Sequence, residues 1–349
     1  QYGILYQDDY MELTGSKVVT VEKDFDILKH VEAGDFVISM RSFQGGLEYS
    51  TKSGAISSAY VMLVPNLELV YPRFYRWLLK SSVYIDALQR TTNMVRDGQA
   101  MRYSNFAQVR LFTLPLDEQK SRADFLDLEC SSIDKILFKT RSSIEEYKKL
   151  KQTVITQAVT KGVRGEREMK DSGVEWIGEI PKEFNPVQLK FFCKLITDGT
   201  HFSPTTVENG WPYITAGDVH GIGLDYNSAK RISEEDFQLL VAQGCQPLKG
   251  DVLLVKDGAT TGRVGFVDSD TPCVILSSVA MLRPADNADG HYLMYLLASD
   301  FLQKQILVSM AGSAMPRTTL TKLTKYIGLL PPLHEQKEIA NYLDAKCAE

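Results

Sequence analysis

The sequence predicts an α/β (α+β) protein. It has two similar β-rich heads separated by long antiparallel coiled-coil helices, and an internal pseudo-two-fold repeat relates the halves. Three observations carry this. One stretch of sequence occurs twice, as TLPLDEQKSRADFLD at 113–127 and as LLPPLHEQKEIANYLD at 329–344. Short apolar runs bounded by glycine and proline precede each occurrence. A long apolar heptad follows the first.

The two stretches share Glu118/Glu335, Gln119/Gln336, Lys120/Lys337, Ala123/Ala340, Leu126/Leu343, Asp127/Asp344 and Cys130/Cys347, every pair 217 positions apart. The match continues upstream in the same order: AGDFVIS with KGDVLLV, SSAYVMLVP with SSVAMLRP, YRWLLKSS with MYLLASD, GQAM with GSAM. A period this long means a duplicated domain rather than a solenoid. Tyr2 falls near Tyr213 of the second copy, so the first copy is expected to lack the counterpart of 171–211. The last helix is expected to stop early, at Glu349.

The runs DFVISM, AYVMLV, DVLLVK, CVILSS and YIGLLP read as strands. Amphipathic spacing over 72–90 and 291–309 predicts one or two helices in each head. After Pro115 a helix is expected with Asp117 as N-cap, its apolar seam running through Leu126, Cys130, Ile133, Leu137, Thr140, Ile144, Tyr147, Lys151, Val154 and Ala158. Gly162 ends it, giving roughly 44 residues or about 65 Å at 1.5 Å per residue. One apolar stripe of that length requires a partner helix, and the second copy offers one at Glu335, Ile339 and Leu343. The domain boundaries follow: a first head over 1–116, a first spacer helix over 117–161, a connection over 162–181, a second head over 182–332 and the start of a second spacer helix over 333–349. The glutamate–glutamine pairs at the helix starts, Glu118–Gln119 and Glu335–Gln336, read as junction residues that cap and pack head against helix.

The chain's 349 residues exceed one ordinary core. Five cysteines without a CxxC pair argue against zinc or a disulfide framework and for a reducing cytoplasm. A net charge of −5 argues weakly against nucleic acid in bulk, although local patches decide contact. No apolar run reaches membrane-spanning length.

At this point the residues resemble a family. PPLHEQKEIANYLD is similar to the helix-start motif of type I restriction-modification DNA specificity subunits. YKKLKQTVITQAVTKGV resembles the end of their first conserved helix, and MKDSGVEWIGEIPKEF the start of their target-recognition domain. TDGTHFSP and GDVLLVKDGATTGRVGFV look like segments of that domain, and the likeness covers nearly the whole chain. It implies two target-recognition domains, each reading one half of a bipartite double-stranded DNA site. It implies helices that set the gap and dock adenine methyltransferase (modification) subunits and, through them, ATP-dependent translocase-nuclease (restriction) subunits. It implies no catalysis and no cofactor in this chain, with S-adenosylmethionine, ATP and Mg in the partner subunits. A second copy of the chain is an alternative way to complete the spacer.

Missing catalytic motifs agree with that implication. There is no N/D-P-P-Y/F methyltransferase motif, no phosphate loop and no G-x-S-x-G, and HEQKE lacks the second histidine of a zinc helix. DGATTGRVG reads as a tight β-hairpin, as a loop offering Lys256 and Arg263 to DNA, or as a nucleotide loop whose glycines miss the G-x-G-x-x-G spacing. DGTHFSP offers Thr200, His201 and Ser203 to phosphates or bases, or is a solvated turn. SAMPRTTLTK offers Arg317, Thr318 and Lys322, and its counterpart in the first head offers Arg102 and Tyr103; a solvated charged loop is the alternative. Arg41 and Ser42 align near Lys256 and Asp257. As a function the DNA reader competes with a coiled-coil scaffold whose heads bind protein, and with a nucleotide-dependent enzyme resting only on the glycine loop.

Overall fold

A computed structural model of the chain describes residues 4–16, 27–39, 47–91, 103–221, 223–310 and 316–348. The chain divides into two compact units, Gln1–Arg141 and Ser142–Glu349.

The first unit holds α1 (Gln7–Thr14), β1 (Lys29–Val31), β2 (Phe36–Ser39), β3 (Glu48–Tyr49), β4 (Gly54–Ile56), β5 (Tyr60–Leu63), α2 (Pro72–Leu78), α3 (Ser82–Gln89), α4 (Tyr103–Phe106) and the start of α5 (Leu116–Lys161). Its sheet, in the order β3-β2-β5, packs Phe36, Ile38 and Leu47 against Phe74, Tyr75, Leu79, Tyr84 and Leu88 of the helices.

The second unit takes the end of α5, then β6 (Met169–Asp171), β7 (Glu179–Pro181), β8 (Asn185–Gln188), β9 (Cys193–Asp198), β10 (Thr206–Val207), β11 (Trp211–Ile214), β12 (Val219–His220), β13 (Gly223–Leu224), β14 (Lys230–Ile232), α6 (Glu234–Ala242), β15 (Val252–Val255), β16 (Val264–Phe266), β17 (Val274–Ile275) and β18 (Val279–Pro284). Then come α7 (Gly290–Ala298), α8 (Asp300–Ser309), α9 (Leu320–Leu323), β19 (Ile327–Leu330) and α10 (Leu333–Ala348). Two four-stranded sheets, β16-β15-β18-β9 and β10-β14-β11-β17, form the head. β15 is buried on both faces, Val252 and Leu254 packing toward α7 and α8 and Leu253 and Val255 toward β11 and β17, which is why it reads as an unbroken apolar run.

The repeat holds at the level of strand register. Phe36, Val37, Ile38 and Ser39 pair with Leu63, Met62, Val61 and Tyr60. Val252, Leu253, Leu254 and Val255 pair with Leu282, Met281, Ala280 and Val279 in the same alternation. The third strand also matches: Phe36 faces Tyr49 in one unit and Val252 faces Phe266 in the other. A one-residue slip would turn every core side chain outward, so equal register means equal cores.

Of the one or two helices expected in each head, two form: the stretch 72–90 is α2 and α3, and 291–309 is α7 and α8. The seams are serines: Ser81 Oγ accepts from Tyr84 N at 3.3 Å and so starts α3, while Ser299 leaves helical geometry at ψ 150° between α7 and α8. A 3.6-residue pattern persists across such a break because both helices bury one face.

α5 runs 46 residues, starting one position earlier than Asp117 allows. The Pro115 carbonyl accepts from both Glu118 N and Gln119 N, so Asp117 lies in the first turn instead of capping it. Gly162, at φ 74°, closes the helix. Near that end α10 packs antiparallel to α5. Lys151 Nζ reaches the Cys347 carbonyl at 3.5 Å, Arg164 pairs with Glu338 at 2.8 Å, and Arg167 with Glu335 at 2.6 Å. Ile155, Ala158 and Val159 meet Ile339, Ala340 and Leu343 there. Val154, expected in the seam, is only partly buried, because the contact stripe is centred one residue further on. Leu126 is half-buried, and Ile133, Leu137, Ile144 and Tyr147 are about half exposed or more, Tyr147 to 71%. Among the described residues no helix covers that middle stretch.

Candidate nucleic-acid interface

β9 and β15 flank β18, each antiparallel to it, so both end on the same side of the sheet. Asp198 and Lys256 are the residues at those two ends. Lys256 Nζ lies 3.2 Å from Asp198 Oδ2 and 2.9 Å from Asp257 Oδ2. Its side chain is 3% exposed, so a buried cation is neutralised by two carboxylates.

The third segment arrives through backbone pairing. Gly258 N donates to Pro316 O at 3.0 Å and Thr318 N to Lys256 O at 2.9 Å, so Asp257 and Arg317 face each other in a bridge. Arg317 Nε stands 2.9 Å from Asp257 Oδ1 while its side chain is 60% exposed. Thus DGTHFSP, DGATTGRVG and PRTTLTK, far apart in sequence, meet at one end of one sheet.

The glycines explain how the segments come so close. A Cβ on Gly199 would sit 1.9 Å from the Ile275 carbonyl oxygen, so the Asp-Gly turn lies flush against β17. Gly258 and Gly262 have φ of 96° and 98°, which closes the β15–β16 hairpin. The hairpin reading of DGATTGRVG is therefore correct. Gln303 Nε2 donates to Gly262 O at 2.9 Å and ties the hairpin to α8.

The predicted residues divide into two groups. Thr200, Lys256 and Thr318 are buried. Thr200 Oγ1 accepts from Phe202 N at 3.0 Å, and Thr318 Oγ1 bonds Tyr326 OH at 2.6 Å. All three hold the loops together and do not reach the surface, which corrects their expected direct contact. Lysine and threonine look available in sequence, but strand ends place these three inside.

His201, Ser203, Arg263, Arg317 and Lys322 are on the surface. His201 stands 3.7 Å from Asp198 Oδ2 with its side chain 73% exposed. Lys322 Nζ donates to Ser309 O at 2.5 Å. Arg263 O accepts from Val255 N at the hairpin's close, and its guanidinium has no partner among the described residues. In the first unit Tyr103 opens α4 and is exposed, whereas Arg41, Ser42 and Arg102 lie outside the described residues. Sequence reasoning missed Asp198 and Asp257, which read as turn formers in Asp-Gly pairs. It also missed the exposed Phe202, whose only signal was its place in the loop.

Burial pushes the Cys193 and Cys273 thiols up to about 12, so neither is a ready nucleophile. Among the described residues no group of three His, Cys, Asp or Glu side chains could hold a metal ion, and no helix is long and apolar enough to cross a membrane.

The junction glutamines repeat atom for atom, whereas the glutamates do not: Glu335 is buried against Arg167 and Glu118 pairs with Arg122 of its own helix. Gln119 Oε1 accepts from Tyr71 N at 2.7 Å, and its Nε2 donates to Leu69 O and Leu114 O at 2.9 and 2.7 Å. Gln336 Oε1 accepts from Asp289 N at 2.8 Å, and its Nε2 donates to Asn287 O and Pro331 O, both at 2.9 Å. Both glutamines are fully buried, as a residue fixing head to helix must be. Eight residues on, Asp127 accepts from Arg73, Arg76 and Trp77, and Asp344 from Tyr295 OH at 2.8 Å.

Comparison with known proteins places this geometry. The profile of the type I restriction modification DNA specificity domain matches residues 181–347, which contain all three converging loops. The MjaVIII type I restriction enzyme specificity subunit of Methanocaldococcus jannaschii is 26% identical over 326 residues, covering 90% of this chain and 72% of the relative. A chain solved in work on complex assembly and conformational transition of the type I R-M system aligns with TM-score 0.69 at 19% identity, over 92% of this chain and 75% of that one, and shares the fold. The resemblance read from the motifs is repeated by these comparisons: residues 181–347 match the type I restriction modification DNA specificity domain, and the chain shares the fold of a chain solved from the type I R-M system.

Proposed function

We propose that the chain is a non-catalytic DNA-recognition subunit of a type I restriction-modification complex. Each head reads one half of a bipartite target. The long helix sets the gap and docks adenine methyltransferase subunits, which in turn engage the ATP-dependent translocase-nuclease subunits. The observation that carries the reading is the convergence of three loops in the second unit. They set Arg317 and, on the adjoining hairpin, Arg263 at the surface of a rigid, charge-neutralised base. Solvent-facing cations on a buried frame suit groove and phosphate contact, which depends on fixed donors. The uncovered apolar stretch of α5 supports a docking role, since exposed apolar patches of this kind mark interaction surfaces.

The test is selection from a randomised duplex pool by the chain together with its modification subunit. Enrichment of two short motifs at a fixed gap, with affinity falling steeply as salt rises, is the expected result. Charge reversal at Arg263 and Arg317 should abolish the motif read by the second unit and leave the other. Retention of both motifs by that variant would refute the assignment of this surface.

A further inference from the structure

Arg263 and Arg317 are both exposed but are held differently. Arg263 is tied through its backbone, and its guanidinium has no partner among the described residues. Arg317 is fixed at its backbone and paired at its side chain. Its neighbours Pro316 and Thr318 hydrogen-bond across to Gly258 and Lys256, and its own Nε forms an ion pair, 2.9 Å from Asp257 Oδ1, without the geometry of a hydrogen bond. Asp257 is in turn held, because its other oxygen accepts from the buried Lys256 Nζ at 2.9 Å, and that nitrogen also meets Asp198. The result is a relay from the sheet interior to the surface: Asp198, Lys256, Asp257, Arg317.

The relay sets Nε against a carboxylate as an ion pair and leaves the two terminal nitrogens of Arg317 without a partner among the described residues. A guanidinium oriented through one edge presents the remaining donors as a fixed fork, which matches the O6 and N7 acceptors of guanine. A guanidinium that only neutralises phosphate needs no such fixing. Resting on the DNA-reading proposal above, we propose that Arg317 is the specificity-determining residue of the second unit, reading a guanine in its half-site. Asp257 and Lys256 are positioning residues that aim it, and Arg263 supplies a sequence-independent phosphate contact.

The experiment compares motif selection and salt dependence for wild type, Arg317→Lys, Arg317→Ala, Asp257→Asn and Arg263→Ala, each in complex with the modification subunit. Arg317→Ala should relax preference at one G·C position of one half-site by about 5- to 150-fold, leaving the other half-site unchanged. Arg317→Lys should retain the charge and still lose that preference, because a lysine is not a fork. Asp257→Asn should weaken preference at the same position, and combining it with Arg317→Ala should add nothing. Arg263→Ala should lower affinity evenly across sequences and reduce the salt slope by about one. Circular dichroism melting of each variant separates misfolding from misreading, and the untouched half-site serves as an internal control. A uniform affinity loss with Arg317→Ala, or full rescue by Arg317→Lys, would overturn the guanine assignment. If wild type itself selects no motif, the DNA-reading proposal fails and this one falls with it.

Discussion

Gln119 and Gln336 each satisfy one backbone N–H and two backbone carbonyls in a fully buried place. Replacing either by alanine strands those groups at about 1–3 kcal/mol apiece, so a loss near 3 kcal/mol is expected in the affected unit. Trp77 is the first unit's sole tryptophan, while Trp176 and Trp211 lie in the second, so fluorescence unfolding reads the two losses separately. Asp127 gives a pH-dependent counterpart. Burial pushes its carboxyl up, but hydrogen bonds from Trp77, Arg73 and Arg76 outweigh that and hold it below the ordinary aspartate value of 3.8. A carboxyl with a lowered folded pKa contributes stability that is fully present above 3.8 and is lost as pH falls through the folded value. Acid titration followed by Trp77 emission should show this loss in wild type and not in Asp127→Asn. At this scale the sequence was legible where the repeat doubled a residue, as with both glutamines. It was illegible for Lys256, because a lysine paired inside a sheet end has the same letter as a solvated one.

The elements were legible where periodicity had one cause. β2, β15 and β19 stand where apolar runs placed them, and α5 ends at its glycine. Periodicity left the number of helices open, at one or two, where two helices share one face, at Ser81 and Ser299. The heptad of α5 is a separate lesson: the pattern is present, but the residues buried against α10 are Ile155, Ala158 and Val159 at its end. Its middle is exposed, so substituting Ile133 and Leu137 by serine should change the melting of the chain alone by about 0.5 kcal/mol or less per site. The same substitutions should weaken capture of the modification subunit in a pull-down, and unchanged capture would remove the docking role from this stretch. Seven residues of matching heptad inserted after Lys139 should lengthen the preferred gap between half-sites by about three base pairs, from about 10.5 Å of added helix. A gap unmoved by the insertion would mean that α5 does not set the spacing.

For the whole molecule, the duplication was the most legible feature, since motifs recurring in one order, with small slips in offset, became identical strand registers. The converging loops were not, because 198, 256 and 317 meet only through the parallel exit of β9 and β15 and a bridge with no sequence signature.

The burial of Lys256 has one more consequence, in chemical labelling. An amine-acylating reagent reaches surface lysines within the folded state, but the Lys256 ammonium is enclosed by two carboxylates and the sheet. Acylation there requires the second unit to open. Its labelling rate, read by mass spectrometry of the peptide carrying residue 256, should therefore track unfolding of that unit as denaturant rises while exposed lysines such as Lys182 and Lys249 label at once. That makes one side chain a built-in clock for the opening of the second unit.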